Sequence, residues 1–130
     1  MPLKTVNPEG LARPRGYSHG VSGHGEMLFV AGQIGWTREG RMVSDDLVAQ
    51  FDQALDNVLT VVWAAGGKPE SVARLVIYVT DKNEYRGAAK ALGEAYRKRM
   101  GRHYPAMALV EVRSLLEDDA KVEIEATALL

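Results

Sequence analysis

The sequence predicts an α+β protein, a single-domain mixed β-sheet with two helices packed on one face. Three observations predict it. Apolar residues recur at helical spacing in two stretches, Leu47 to Val62 and Tyr85 to Tyr96, each flanked by strand-like runs. The run from Arg74 to Val79 is apolar at odd and even positions alike, the mark of a strand covered on both faces. The last run alternates, with Glu123 and Glu125 set between Val122, Ile124 and Ala126. At 130 residues, 46% hydrophobic and 25% charged, the chain suits one domain spanning 1–130 with its own core, and a second domain has no room.

In chain order, residues 1–16 carry three prolines and two glycines among scattered charges and read as an irregular arm held by other surfaces. From Tyr17 to Ile34, two apolar runs flank Gly23-His24-Gly25-Glu26, so a hairpin is expected, its second strand running from Met27 to Ala31. Ser44 starts the first helix as a side-chain cap, with Asp45 and Asp46 against the positive end of its dipole. Leu47, Phe51, Leu55, Val58, Leu59 and Val62 then share one face, and Gly66-Gly67 supplies a left-handed stop. After the strand at 74–79, a second helix starts near Glu84 and buries Tyr85, Ala88, Ala89, Leu92 and Tyr96. It ends at Gly101 behind Arg97, Lys98 and Arg99. Strands at about 106–112 and 121–129 close a ββαβαββ order in which both helices act as right-handed crossovers between parallel neighbours, leaving one sheet face bare. That bare face is expected to meet another subunit under closed symmetry.

Composition excludes several functions. A net charge of −1 lacks the basic excess of a protein held to nucleic acid through phosphates. The absence of cysteine removes disulfides, thiolate metal sites and cysteine nucleophiles. With no apolar run near the roughly 20 residues of a membrane span, and no signal-peptide core at Met1–Thr5, the cytoplasm is the expected location. His19, His24 and His103 lack metal-ligand spacing, so neither metal nor cofactor is expected. Gly23-His24-Gly25 lacks the third glycine and helix of a nucleotide loop. The basic cluster Arg97, Lys98, Arg99 and Arg102 reads as a helix end completing its dipole.

Tyr17-Ser18-His19, Ala31-Gly32-Gln33-Ile34, Gln50 with Asn57, Ala64-Ala65-Gly66, Tyr104-Pro105-Ala106-Met107 and Val122-Glu123-Ile124-Glu125-Ala126 follow one another at spacings that resemble the RidA/YjgF family across nearly the whole chain. The resemblance implies a chorismate-mutase-like fold, a homotrimer with small-molecule clefts between subunits, and hydrolysis of reactive imines or enamines. From the residues alone, Glu123 belongs to a solvated strand face; the resemblance makes it the glutamate that positions the attacking water. Tyr17 reads as a core aromatic, or by resemblance as a cleft wall, and Gly32 as a strand-end bend, or as a close approach of backbone to ligand.

Met107 stands where the family run Pro-Ala-Arg-Ser has the arginine that grips a 2-imino acid carboxylate, a pairing a thioether cannot imitate. Ala89 falls near a family asparagine and Ala31 where a serine is common, so the expected cleft is less polar. Arg13 and Arg15 are the alternative anchors for an anion, or else solvated arm residues. The resemblance thus implies an imine or enamine deaminase that disfavours ordinary 2-imino acids; the alternative is a module that binds a small metabolite without turnover. Family members have been described as ribonucleases or translation inhibitors, and that reading ranks last here because the chain is acidic and lacks a spaced aromatic platform.

Overall fold

The computed structural model describes residues 2–130 and runs β1 (Lys4–Val6), β2 (Gly20–Ser22), β3 (Met27–Gln33), α1 (Leu47–Ala64), a 3-10 turn (Pro69–Ser71), β4 (Val72–Val79), α2 (Lys82–Gly87), α3 (Ala89–Met100), β5 (Ala106–Glu111) and β6 (Val122–Leu129). The main sheet has the order β3-β6-β4-β5. Strands β4 and β5 are parallel and the other pairs antiparallel, so the sheet is mixed as predicted.

Two expectations about connectivity fail. The hairpin does not form: β2 pairs with β1, Lys4 opposite Ser22, while β3 pairs with β6, Val30 opposite Ala126. Val30, Ala126 and Ala128 are buried, so pairing with β6 gives β3 an apolar face that β2 cannot offer. Gly25, at φ 137°, serves the chain terminus instead of a tight turn. A β-carbon there would collide with the Leu130 carbonyl, and Leu130 N donates to the Glu26 carbonyl at 2.9 Å. The arm is also not wholly irregular, since Lys4–Val6 is the strand β1. Second, β3 and β4 run parallel but are not neighbours, because β6 inserts between them as a central strand with Val122, Ile124, Ala126 and Ala128 buried.

Helix α1 lies over β6 and β3 with the expected stripe buried, including Phe51, Leu55, Val58 and Val62. Burying each such side chain contributes about 1.5–3 kcal/mol, and truncating the fully buried Leu55 to Ala would cost about 2–5 kcal/mol. Asp46, not Ser44, is the N-cap and accepts from Ala49 N at 2.9 Å, while Ser44 Oγ accepts from Asp46 N one turn earlier. Gly66 at φ 91° and the Gly67 N bond to the Val62 carbonyl, 2.9 Å, close the helix as expected.

The expected second helix is two. Asp81 caps α2 through Asn83 N and Glu84 N, the chain breaks at Ala88 after Gly87, and α3 restarts at Ala89. The break turns Tyr85 edge-on to Phe51, ring centroids 6.4 Å apart, and leaves Ala89 exposed, against its predicted burial. Arg99 ties α3 to α1 through a two-bond fork to Asp52 (2.6 and 3.0 Å) and a bond to Asp56 (2.9 Å). The fork holds the Asp52 carboxyl below its ordinary range and raises the guanidinium.

Gln50 is fully buried and satisfied. Its Nε2 donates to the carbonyls of Ser44 (2.9 Å) and Asp119 (3.0 Å), and its Oε1 accepts from Lys121 N (2.8 Å). Asn57, two turns on, donates to the carbonyls of Ile34 (3.1 Å) and Trp36 (2.9 Å). Gly35 presses its backbone on the helix, where a β-carbon would sit 2.8 Å from Gln50 Cα. Together these bonds fix the segment after β3 and the approach to β6, which adjoin Gly32 near the end of β3 and Glu123 near the start of β6.

Candidate functional site

The sheet face away from the helices carries the acids. On β6 the buried residues Val122, Ile124 and Ala126 face the helices, so Glu123, Glu125 and Thr127 face the other way. Register sets Tyr78 opposite Glu123 and Val76 opposite Glu125. The Tyr78 hydroxyl reaches diagonally to donate to Glu125 Oε1, and this bond pushes the phenol above its ordinary pKa. Arg74, Tyr78, Glu125 and Thr127 surround a cavity of about 260 Å³. Glu125 is thereby engaged, whereas no hydrogen bond among the described residues reaches the Glu123 carboxylate. Gly32 lies against it: a β-carbon there would overlap Glu123 Oε2 and come within 2.8 Å of Cδ. The β3–β6 register shifts between Val30 and Gln33, so Gly32 sits in an irregular stretch that brings backbone over the acid.

Met107 belongs to the opposite face. It pairs with the buried Leu75, and β4 and β5 are parallel, so Met107 and Leu109 point toward the helix side along the outer edge strand. There they line a cavity of about 300 Å³ with Ile77, Tyr85, Tyr17, Gly16 and Arg15. Tyr17 arrives from about 90 residues away because Ser18 is stapled to the start of β5. Ser18 N donates to the Pro105 carbonyl at 3.0 Å, and its buried Oγ donates to the Tyr104 carbonyl at 2.6 Å. His19 holds the arm from the other side, its ring Nε2 donating to the Ala12 carbonyl at 2.7 Å and its edge against the Tyr17 ring.

The predicted site residues therefore fall into separate groups within one chain. Glu123 and Gly32 meet on the bare face; Tyr17, Met107 and Arg15 meet at the sheet edge on the helix side. Arg13 lies across Tyr17 in a different cavity, about 660 Å³, lined also by Glu9, Arg102 and Tyr104. Ala89, exposed on α3, lines neither the Met107 cavity nor the Glu123 face of its own chain. The Arg97–Arg102 cluster is partly neutralised, since Arg99 is committed to Asp52 and Asp56. His103 donates from its ring to the Val72 carbonyl at 2.7 Å. No group of three or more potential metal ligands gathers among the described residues, and no helix there is long and apolar enough to cross a membrane.

Two contributors escaped the sequence reading. Tyr78 was hidden because Arg74–Val79 reads as uniformly apolar, although Arg74, Val76 and Tyr78 form one face; the polar atoms of Arg74 and Tyr78 were the available signal. Tyr85 was read as core and is instead a half-buried cavity wall whose phenol burial pushes upward in pKa.

A one-sided mixed sheet with an open carboxylate on its bare face and an apolar cleft at its edge defines a class of small α+β proteins, and comparison gives the class a family. The model of the family described as Endoribonuclease L-PSP matches residues 10–130. The 2-iminobutanoate/2-iminopropanoate deaminase of Escherichia coli K12 is 36% identical over 126 residues, 96% of each chain. The crystal structure of a Rid-family protein of unknown function from Yersinia pestis matches with a TM-score of 0.89 at 34% identity, covering 100% of both chains. That of the Escherichia coli YjgF gene product matches at 0.70 and 34%, covering 97% of this chain and 98% of that one. The chain belongs to the RidA/YjgF family.

Proposed function

We propose that the protein is a hydrolytic deaminase that converts a reactive imine or enamine to a carbonyl compound and ammonia, in clefts between the subunits of a homotrimer. The observation that carries it is the open Glu123 carboxylate under the backbone of Gly32. In the reaction, Glu123 takes a proton from a bound water as its oxygen attacks the C=N carbon. Returned to nitrogen, that proton gives the carbinolamine; Glu123 then takes the hydroxyl proton and passes it to the amine, so that the C=O bond forms as the C–N bond breaks and ammonia leaves. An enamine enters the same path after protonation at carbon. The name of the 36% identical relative supports this chemistry. The intersubunit cleft is supported by geometry: Glu123 and Met107 point from opposite sheet faces, so one chain cannot close both around one small ligand. Exposed Phe29 (71%), Met27 (55%) and Val110 (42%) on the bare face suit a buried contact between copies.

Met107 sets the substrate. With a thioether in place of a guanidinium, a carboxylate on the reacting carbon loses a hydrogen-bonded partner, on the order of 2–5 kcal/mol. Imines without that adjacent carboxylate are the better substrates. The test is ammonia release from freshly generated 2-iminopropanoate and from an imine of an aromatic aldehyde. The wild type should prefer the second, and Glu123→Gln should abolish turnover with the oligomer intact. Unchanged turnover in that variant would remove Glu123 from the mechanism. A second reading, binding without turnover, is favoured by the apolar lining of the Met107 cavity; it predicts ligand-dependent thermal stabilisation with no ammonia released.

A further inference from the structure

We propose that Arg15 is the anion-binding residue of the Met107 cavity, so that the cleft takes molecules with an apolar or aromatic body and a carboxylate placed away from the reacting carbon. This rests on the reading of that cavity as part of the ligand cleft and names its ligand class.

The cavity's lining contains one charged side chain, Arg15, and no acid. Among the described residues Arg15 makes no ion pair, in contrast to Arg99 with its two aspartates. Arg13 also makes no ion pair among the described residues, but its cavity, on the other side of Tyr17, holds Glu9, which competes for the cation. The rest of the Met107 cavity is Ile77, Leu109, the thioether of Met107 and the rings of Tyr17 and Tyr85. Arg15 is exposed, and the apolar walls on one side of it remove only part of the solvent that screens a pair with an anion. The planar fork of its guanidinium matches a carboxylate with two parallel hydrogen bonds.

The backbone that carries Arg15 is held in place. It sits in a loop closed by the His19 ring on the Ala12 carbonyl at 2.7 Å and anchored by Ser18 to Pro105 and Tyr104. Gly16, at φ 74°, makes the turn between Arg15 and Tyr17, so both line one space. A volume of about 300 Å³ holds one ring with a short acid chain.

The test is calorimetric titration of the full chain with phenylacetate and 3-phenylpropanoate, each against its neutral amide. The wild type should bind each acid about tenfold or more tightly than its amide. Arg15→Gln should erase that preference; Arg15→Lys should keep part of it; Arg13→Gln should keep all of it. The preference should also shrink as salt rises. Equal binding of acid and amide by the wild type, absence of binding by all four probes at millimolar concentration, or survival of the preference in Arg15→Gln would overturn the proposal. Because the readout is binding, an intact acid preference with no imine hydrolysis would sink the deaminase reading and leave Arg15 as the anion site.

Discussion

Replacing Gly32 with alanine separates the positioning of Glu123 from the stability of the fold. The new β-carbon would lie 2.8 Å from Glu123 Cδ and 3.0 Å from Cγ. Non-bonded carbons settle at about 3.5–4.0 Å, so the carboxyl must retreat by roughly 1 Å. The backbone does not resist, since Gly32 is not among the positive-φ glycines, and the colliding atoms end a flexible side chain. Stability then changes little: the less flexible unfolded chain contributes about 0.4–1 kcal/mol, and an off-rotamer Glu123 costs about 0.5–1.5 kcal/mol. Turnover should fall by about 100-fold, the usual consequence of a 1 Å misplacement at a reacting centre. Ammonia release and urea unfolding, run on the same preparations, measure the two effects. In a Glu123→Gln background the alanine should add no further loss, because both changes act through one group. A Gly32→Ala protein with the wild-type rate would refute the argument that the Gly32 backbone and the Glu123 carboxyl form one site.

Three more outcomes are expected. Gln50→Leu leaves two carbonyls and one N–H without their partner and should cost about 3–5 kcal/mol in urea unfolding at fixed protein concentration, at about 1–3 kcal/mol per stranded group with partial relief by water; a loss under about 1 kcal/mol would mean that water replaces the amide completely. The Asp52–Arg99 pair is about one-third exposed, so Asp52→Asn should cost no more than about 1 kcal/mol at neutral pH. The folded carboxyl lies below its unfolded value, so this difference is fully present above the ordinary aspartate range, shrinks as pH falls through it, and is gone once the folded carboxyl is protonated; a difference that stays constant from pH 7 to 2 would exclude the fork as its source. Met107→Arg should raise turnover of 2-iminopropanoate by at least tenfold relative to an imine lacking the carboxylate, and an unchanged ratio would place the specificity elsewhere.

Helix α1 and strand β6 were legible because each advertises its buried side by period, 3.6 in Leu47–Val62 and 2 in Val122–Ala128. The pairing partners were not. Gly23–Glu26 has the composition of a tight turn, yet its glycine conformation is used to pass the terminal Leu130. The bridge from Lys4–Val6 to Gly20–Ser22 joins an exposed strand to one only partly buried, with no apolar pattern to report it. In the site, alternation placed Glu123 on the polar side of β6. The meeting of Tyr17 with Met107 depends on Ser18 bonding to backbone carbonyls, which carry no residue code. Ala89 failed as a buried position because the Gly87-Ala88 break resets the helix phase, and a single-helix reading cannot anticipate that reset.

The buried amide of Gln50 grips Lys121 N immediately before β6 begins, and a strand that slipped by one residue would drive Glu123 and Glu125 into the apolar layer beneath α1. The acid is therefore aimed by the same constraint that lets the chain fold at all, while Arg15, Tyr17 and Met107 sit on an arm and an edge strand outside it. With that division, substitutions at the rim can alter the cleft without disturbing the register that aims Glu123.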